Sequence, residues 1–134
     1  MADKLCKHIE RDNGIHEIML YRGTRQGVDC YIEIVGTLFD QLSSEDTLRY
    51  ILNATVCDQL PPLNYFVNRS NTYQRQHPEL GKGRLVILYN RTAFWAVVSR
   101  VINMLNIRYR GALIMKMFEA SEREQAIKWL LDDS

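Results

Sequence analysis

Two short segments of the sequence share an order of residue types that suits the binding of an anion. An apolar run is followed by Asn68-Arg69-Ser70 in one segment and by Asn90-Arg91-Thr92 in the other. We predict that each run is a strand, so that both triplets lie at carboxyl ends of strands, where ligands bind in open α/β sheets. Arginine offers a bidentate fork, and a hydroxyl at a helix N-terminus adds donors for phosphate or carboxylate. The alternative is that the Asn, Ser and Thr residues are ordinary helix caps and that both arginines are solvated.

A second group of residues is typical of a contact surface. Arg108 and Arg110 flank Tyr109 and form a basic, aromatic cluster. Trp95 follows Phe94 in an amphipathic stretch, and adjacent helical residues point about 100° apart, so one of the two rings is expected to be partly exposed. These residues predict an interface with a protein partner or with a second copy of the chain, as a homodimer. Packing of both rings on the sheet is the open alternative.

The residue types used in catalysis do not form a catalytic or metal-binding pattern. His8, His16 and His77 are far apart in the sequence and lack the spacing of metal ligands. Ser70 with a histidine base would lack an orienting acid and a nucleophile elbow. The sequence also contains no phosphate-binding loop and no dinucleotide fingerprint. We therefore predict no enzyme activity, no metal and no cofactor.

The apolar periodicity of the first half predicts a hairpin and a helix. An N-terminal arm at 1–14 precedes two alternating apolar runs at 15–21 and 28–34, which we predict to be antiparallel strands. A helix is predicted to begin at Ser43 or Ser44, and it ends at Pro61-Pro62 because proline donates no backbone hydrogen bond.

The second half continues this alternation of strands and helices. In chain order we predict a strand at 63–67, a loop at 71–83, a strand at 84–89, a helix capped by Thr92, a strand at 111–118 and a last helix that opens with a Ser121–Glu124 capping box. Strands that alternate with helices imply right-handed crossovers. The predicted fold is therefore α/β, with a mixed, mainly parallel sheet of four to five strands, an N-terminal β-hairpin and flanking helices, in one domain at 15–134.

Composition and charge exclude several classes of protein. The chain has 134 residues, 46% of them hydrophobic, and a net charge of +1, which gives no argument for a nucleic-acid partner. No apolar run is long enough for a membrane span. Cys6, Cys30 and Cys57 are scattered, which favours a reduced, cytoplasmic protein in which Cys30 and Cys57 are small core residues.

The end of the sequence carries a pattern that resembles a known family. A strand ends in Phe118, a short acidic cap follows at 121–124, and the last helix closes on an Ala-x-x-Trp-Leu order at 126–130. With the hairpin at the start and the alternating order of elements, the chain resembles the STAS superfamily, in its SpoIIAA-like (anti-sigma-factor-antagonist-like) branch, over about residues 15–132. The resemblance implies the fold already given.

The resemblance also implies a function and a site. Members of this superfamily are mostly non-enzymatic modules that bind partner proteins, and some bind nucleotides or lipids. Signalling members carry a phosphorylated serine after the third strand, in the order apolar residues, Asp, any residue, Ser; Ser70 takes that position here, with Asn68 in place of the aspartate. We therefore predict a non-catalytic regulatory or protein-interaction module. The alternative is a domain that binds a small anion (phosphate, nucleotide or lipid headgroup) at the loops after the third and fourth strands.

Overall fold

The fold is organised around a sheet whose strands lie side by side in chain order. The computed structural model describes residues 4–42, 46–76, 82–90 and 113–132. Within these ranges the strands are β1 (Cys6–Glu10), β2 (Ile15–Leu20), β3 (Thr47–Asn53), β4 (Lys82–Tyr89) and β5 (Leu113–Glu119). β1 is antiparallel to β2, and each later neighbouring pair is parallel. The predicted mixed, mainly parallel sheet with an N-terminal hairpin is confirmed.

Helices cover both faces of this sheet. The described helices are α1 (Arg25–Asp40), α2 (Leu63–Gln76) and α3 (Arg123–Leu131), with short 3₁₀ turns at Asp12–Gly14 and Ala120–Glu122. α1 and α2 share a buried apolar cluster with one face of the sheet, and α3 packs in a second cluster on the other face. None of the helices in the described ranges is long and apolar enough to cross a membrane.

The hairpin lies earlier in the chain than predicted. β1 and β2 form it, so residues 6–10 of the predicted arm belong to the sheet. Asn13 and Gly14 make its turn, with positive φ values of 66° and 75° that asparagine and glycine tolerate better than other residues. The Asn-Gly pair thus marks a real turn, but it joins two strands rather than ending an arm.

The strand predicted at 28–34 is wrong, because these residues lie in α1. Thr24 caps this helix, since its hydroxyl accepts a hydrogen bond from the N–H of Gly27 at 3.1 Å. Residues 28, 31, 32 and 35 are buried, which is the spacing of one helical face. Over so short a run the apolar residues fit both a period of two and a period of 3.6, and the helical period holds in the folded chain.

The helix predicted to begin at Ser43 or Ser44 is also wrong, because residues 47–53 form β3. Tyr50 and Leu52 belong to the cluster under α1 and α2, whereas Ile51 belongs to the cluster under α3. A strand buried on both faces is apolar almost throughout, and such a run also satisfies helical spacing. Residues 43–45 lie outside the described ranges.

The strand predicted at 63–67 is wrong as well, because these residues form the first turns of α2. The carbonyl of Pro62 accepts the N–H of Phe66 at 2.9 Å, so the two prolines stand at the beginning of a helix and not at the end of one. Proline suits this place, because the first N–H groups of a helix have no partner within it. The predicted loop at 71–83 is shorter than expected, since residues 71–76 continue α2.

The last elements agree with the prediction except at the cap. β4 contains the strand predicted at 84–89, β5 includes residues 113–118 of the strand predicted at 111–118, and α3 lies within the predicted last helix. The capping box is formed by Glu119 and Glu122 rather than by Ser121 and Glu124, and the N–H of Glu119 donates to Oε1 of Glu122 at 3.0 Å. A 3₁₀ turn between β5 and α3 moves the box two residues towards the N-terminus. The helix predicted after Thr92 lies outside the described residues.

A buried carboxylate joins four segments beneath α3. Glu17 on β2 is 1% exposed, and its Oε1 accepts Arg11 Nε at 3.1 Å and also contacts Arg123 Nη2. Its Oε2 accepts Asn53 Nδ2 at 2.9 Å and Arg123 Nη1 at 3.3 Å. Burial alone would raise the pKa of Glu17, but the hydrogen bonds from Arg123, Asn53 and Arg11 and the charge of Arg123 together lower it.

Cys6 and Cys30 form a disulfide that fastens β1 to α1. The prediction of reduced cysteines is therefore wrong for this pair, and Cys30 lies on a helix rather than on a strand. Cys57 is a free thiol that packs against the larger cluster, as predicted for a small core residue, and burial raises its pKa. The wide spacing of the cysteines concealed the pair, since only the fold brings β1 beside α1.

We predict that Glu17→Gln lowers the free energy of unfolding by about 2–3 kcal/mol at neutral pH, because two arginines lose their buried counter-charge. The pKa of Glu17 is lowered in the folded state, so its stabilisation is present above the unfolded pKa and is lost as pH falls through the folded pKa. Urea unfolding from about pH 7 down to pH 3 measures both effects. The control is Glu33→Gln, which changes an exposed side chain. The prediction would be contradicted if both variants had the same free energy of unfolding at neutral pH and the same loss of it at low pH.

We predict that Cys6→Ser lowers the free energy of unfolding by about 3 kcal/mol, because the disulfide closes a separation of 24 residues in the unfolded chain. Denaturation with and without a dithiol reductant provides the measurement. The wild type should lose this stability on reduction, whereas Cys6→Ser should not respond. Cys57→Ser, which leaves the disulfide intact, should respond like the wild type; equal stability of reduced and oxidised wild type would refute the role of the bond.

Candidate functional site

The loops after β2 and β3 meet at the carboxyl edge of the sheet. We call residues 21–24 and 54–60 the carboxyl-edge loops. The N–H of Asp58 donates to the carbonyl of Tyr21 at 3.0 Å, which joins the two loops. Asn90, directly after β4, donates from Nδ2 to the carbonyl of Thr55 at 2.8 Å. The ends of three neighbouring parallel strands are thus bound into one surface.

Asp58 closes the contact between the two loops. Its Oδ1 accepts the N–H of Gly23 at 2.8 Å, and its Oδ2 accepts Nη1 of Arg22 at 3.0 Å. The Gly23 hydrogen bond and the contact with Arg22 lower the pKa of Asp58. A Cβ at position 23 would come within 2.0 Å of the carbonyl oxygen of Gln59, so the close approach of the loops requires glycine here.

Asn53 connects these loops to the buried Glu17. Its Nδ2 donates to Glu17, while its Oδ1 accepts both the N–H of Thr55 at 3.0 Å and the Thr55 hydroxyl at 2.6 Å. The contacts of Oδ1 with Thr55 form an Asx-turn, in which the Asn53 side chain binds the backbone two residues further along the chain. The beginning of the loop after β3 is therefore held by the same network that holds α3.

Val56 is the apolar side chain that this arrangement leaves exposed. It is 44% exposed, and among the described residues the other large exposed hydrophobic side chains are Ile114 and Leu131, on β5 and α3. Thr55 and Asp58 on either side of Val56 are fixed by the hydrogen bonds given above. An exposed apolar side chain on an ordered loop is suited to contact with another molecule.

A second polar cluster lies where α1 and α2 begin. Asp29 Oδ1 accepts the hydroxyl of Tyr65 at 2.6 Å and Nε of Arg69 at 3.1 Å. The guanidinium carbon of Arg25 lies 5.3 Å from the centre of the Tyr65 ring. The hydrogen bond from Tyr65, with that from Arg69 and its charge, lowers the pKa of Asp29. We call these four residues the Asp29 cluster.

The two predicted triplets lie in different kinds of secondary structure. Asn68, Arg69 and Ser70 lie inside α2 and follow no strand, and Arg69 is paired with Asp29. Asn90 does follow a strand, as predicted, and its amide is bound to Thr55. The strands lie in the order β1-β2-β3-β4-β5, so their described sequence contains no reversal of the kind that opens a ligand crevice in α/β sheets.

Several predicted site residues cannot be placed in this geometry. Arg91, Thr92, Trp95, Arg108 and Arg110 lie outside the described residues. The order of apolar residues, acid or amide, any residue and hydroxyl does occur after the third strand, but at Asn53-Ala54-Thr55. The sequence contains this signal, which assignment of residues 47–53 to a helix concealed.

Comparison with known proteins identifies the fold. No family model and no curated protein sequence matches the chain. A solved structure with TM-score 0.59 and 13% sequence identity covers 97% of this chain and 98% of its own; it is an uncharacterized protein of the DUF3478 family, with a SpoIIAA-like fold, from Shewanella loihica PV-4. The chain has a SpoIIAA-like fold. At this identity the likeness concerns the SpoIIAA-like fold alone, which agrees with the resemblance found in the sequence.

We predict that Asp58→Ala frees the backbone amide of Gly23 to exchange with solvent. That amide is buried and donates to Asp58, so removal of the carboxylate leaves it without this acceptor. Hydrogen exchange of residues 21–24 should become faster, while β3 and β4 keep their protection. The matched control is Asp29→Ala, which removes an equally charged side chain from the neighbouring cluster. Unchanged exchange at Gly23 in Asp58→Ala would contradict the assigned role.

Proposed function

We propose that this protein is a non-catalytic regulatory module that binds a protein partner through the carboxyl-edge loops. The observation that carries the proposal is Val56, 44% exposed on a loop whose neighbouring residues are all hydrogen-bonded. A preformed loop loses little conformational freedom on binding, so an apolar contact there contributes more of its free energy to affinity. Partner binding is also what the SpoIIAA-like resemblance implies.

The charges around Val56 support a protein partner. Arg22 and Asp58 form an ion pair in which both side chains are 38% exposed, and the Asp29 cluster adds a further paired set. Protein interfaces commonly place an apolar centre inside a polar rim. Exposed ion pairs contribute little to stability, so these side chains are available to set orientation and specificity.

The anion-binding alternative has less support at the described residues. Asp29 already accepts the Nε of Arg69, and the Asn90 amide is bound to a backbone carbonyl. The Asp29 carboxylate beside Arg69 would repel an anion that approached this guanidinium. The proposed contributions of Arg91 and Thr92 to an anion site, and of Trp95, Arg108 and Arg110 to an interface or homodimer, await direct tests.

Under the same proposal, phosphorylation of Ser70 would regulate binding of the partner. Ser70 follows Arg69 on α2, so a phosphate would add negative charge beside the Arg69–Asp29 pair. Release of Arg69 from Asp29 would rearrange the rim of the proposed surface. Incubation of the purified protein with ATP and cell extract, followed by intact mass measurement of wild type and Ser70→Ala, tests for this modification.

The Cys6–Cys30 disulfide argues against the proposed cytoplasmic location, because scattered, reduced cysteines were part of its support. The protein can be trapped with an alkylating agent directly from cells and its mass measured without reduction. This measurement shows whether Cys6 and Cys30 are oxidised or reduced in cells. A reduced pair would support the cytoplasm, and an oxidised pair would oppose it.

We predict that Val56→Glu weakens capture of the physiological partner by about tenfold or more, because a charge then occupies the centre of the contact. Ile114→Glu is the matched control, since Ile114 is 46% exposed but lies on β5 near its amino end. Quantitative crosslinking and mass spectrometry of both variants against the wild type give the comparison. A partner lost equally from both variants, or from neither, would refute the proposed surface.

A further inference from the structure

The hairpin brings together two histidines that are far apart in the sequence. His8 Nε2 lies 2.9 Å from His16 Nδ1, and the ring centroids are 5.1 Å apart. In the strand register His8 faces Ile18 and His16 faces Glu10, so the two imidazoles are diagonal neighbours on one face of the hairpin. Their separation of eight residues is not a metal-ligand spacing in a helix, which is why the sequence alone did not reveal the pair.

The surroundings leave this pair open to solutes. His8 lines an open groove of about 310 Å³, whose other side is lined by Glu33, Ile34, Thr37 and Leu38 of α1 and by Gln41 directly after it. His8 is exposed and His16 is half-buried. Glu10, in register with His16, places a carboxylate on the same face of the hairpin. The groove therefore offers polar side chains and access for water.

At least one ring of the pair must be neutral, because the accepting nitrogen needs a lone pair, and unperturbed imidazoles are neutral above about pH 7. At a nitrogen–nitrogen hydrogen bond one ring donates its N–H and the other offers its lone pair. Metal–imidazole bonds are about 2.0–2.1 Å, so two nitrogens this close can bind one metal ion at an angle of about 90°. Each ring must turn for this, because in the hydrogen-bonded pair the two nitrogens point at each other. That is the angle between adjacent ligands in square-planar and octahedral complexes, which Cu²⁺ and Ni²⁺ prefer.

We propose that His8 and His16 form a binding site for a divalent transition-metal ion, with Cu²⁺ bound more tightly than Ni²⁺ or Zn²⁺. Across the described ranges no three His, Cys, Asp or Glu side chains form a metal-binding group, so water supplies the remaining ligands. The ring that donates its proton in the metal-free hairpin moves it to its other nitrogen, and both contact nitrogens then offer lone pairs. The proton count of the two neutral rings is unchanged by binding.

This site differs from the proposed partner surface in place and in chemistry. It lies on the edge hairpin, while the carboxyl-edge loops lie at the ends of β2 and β3. Because the metal would bind only when β1 and β2 are paired, it would stabilise the folded chain. Partner binding by Val56→Glu does not test this metal site, so each proposal can be refuted without affecting the other.

The test is calorimetric titration of the full, disulfide-bonded chain with copper, nickel or zinc salts at about pH 7.5, where unperturbed imidazoles are neutral. We expect one ion per chain and a rise in melting temperature with Cu²⁺. His8→Gln and His16→Gln should each weaken binding by at least about tenfold. His77→Gln, which removes the third histidine of the sequence, should bind like the wild type.

Two further measurements separate the site from a folding defect or from binding elsewhere. Circular dichroism and melting temperatures of the metal-free variants report whether the fold is kept. The electron paramagnetic resonance spectrum of the Cu²⁺ complex should show coupling to two imidazole nitrogens, and to fewer in His8→Gln. Absence of saturable binding by the wild type, or wild-type affinity in His8→Gln or in His16→Gln, would overturn the proposal.

Discussion

Glu17 places a carboxylate between the sheet and α3, in a layer that also contains the buried apolar side chains of Ile15, Ile51, Val86 and Leu88. A charge taken out of water is costly unless it is paired and hydrogen-bonded, so its partners must all be in place when the chain folds. They come from the turn after β1, from the end of β3 and from the beginning of α3. These segments are therefore fixed relative to β2 by one side chain, whose buried charge penalises any arrangement that leaves a partner out.

The other end of α3 is held by charge of the opposite sign. Arg49 Nε donates to the carbonyl of Leu130 at 2.8 Å, and Arg84 Nη2 donates to the carbonyl of Trp129 at 2.7 Å. These arginines are register neighbours on β3 and β4, where two positive charges would ordinarily repel. The last carbonyls of a helix carry partial negative charge, and the Trp129 ring lies 4.3 Å below the Arg84 guanidinium, so both cations have compensating partners. α3 is thus fastened at its N-terminus through Arg123 and at its C-terminus through these two side chains.

The sequence predicted the second half of the fold better than the first, and the length and spacing of the apolar runs explain the difference. β4 is predicted by its short, near-continuous apolar run, and α3 by the residues of its first turn and the helical spacing of its apolar residues. β3, like β4, is buried on both faces, but the apolar residues from 48 to 60 also fit helical spacing, and the apolar residues of α1 fit both periods. The misassignment of these elements also misplaced the site, because Ser70 then seemed to follow a strand and Thr55 seemed to lie in a helix. Long-range pairs such as Cys6–Cys30 and His8–His16 require the fold itself and have no local signal.

The buried network and the proposed partner surface are parts of one chain of hydrogen bonds. Glu17 binds Asn53, Asn53 binds Thr55, and the carbonyl of Thr55 accepts the amide of Asn90. Val56 is the next residue along, so its position is set by contacts that begin beneath α3 on the other face of the sheet. Loops held only by their own backbone must be ordered when a partner binds, and that ordering costs free energy. Here that cost falls on folding, because the side chains that fix the loop are the same ones that satisfy a buried charge. This SpoIIAA-like domain presents its loop already ordered, so under the proposed function the affinity for a partner would depend on the contacts of Val56 and its charged rim.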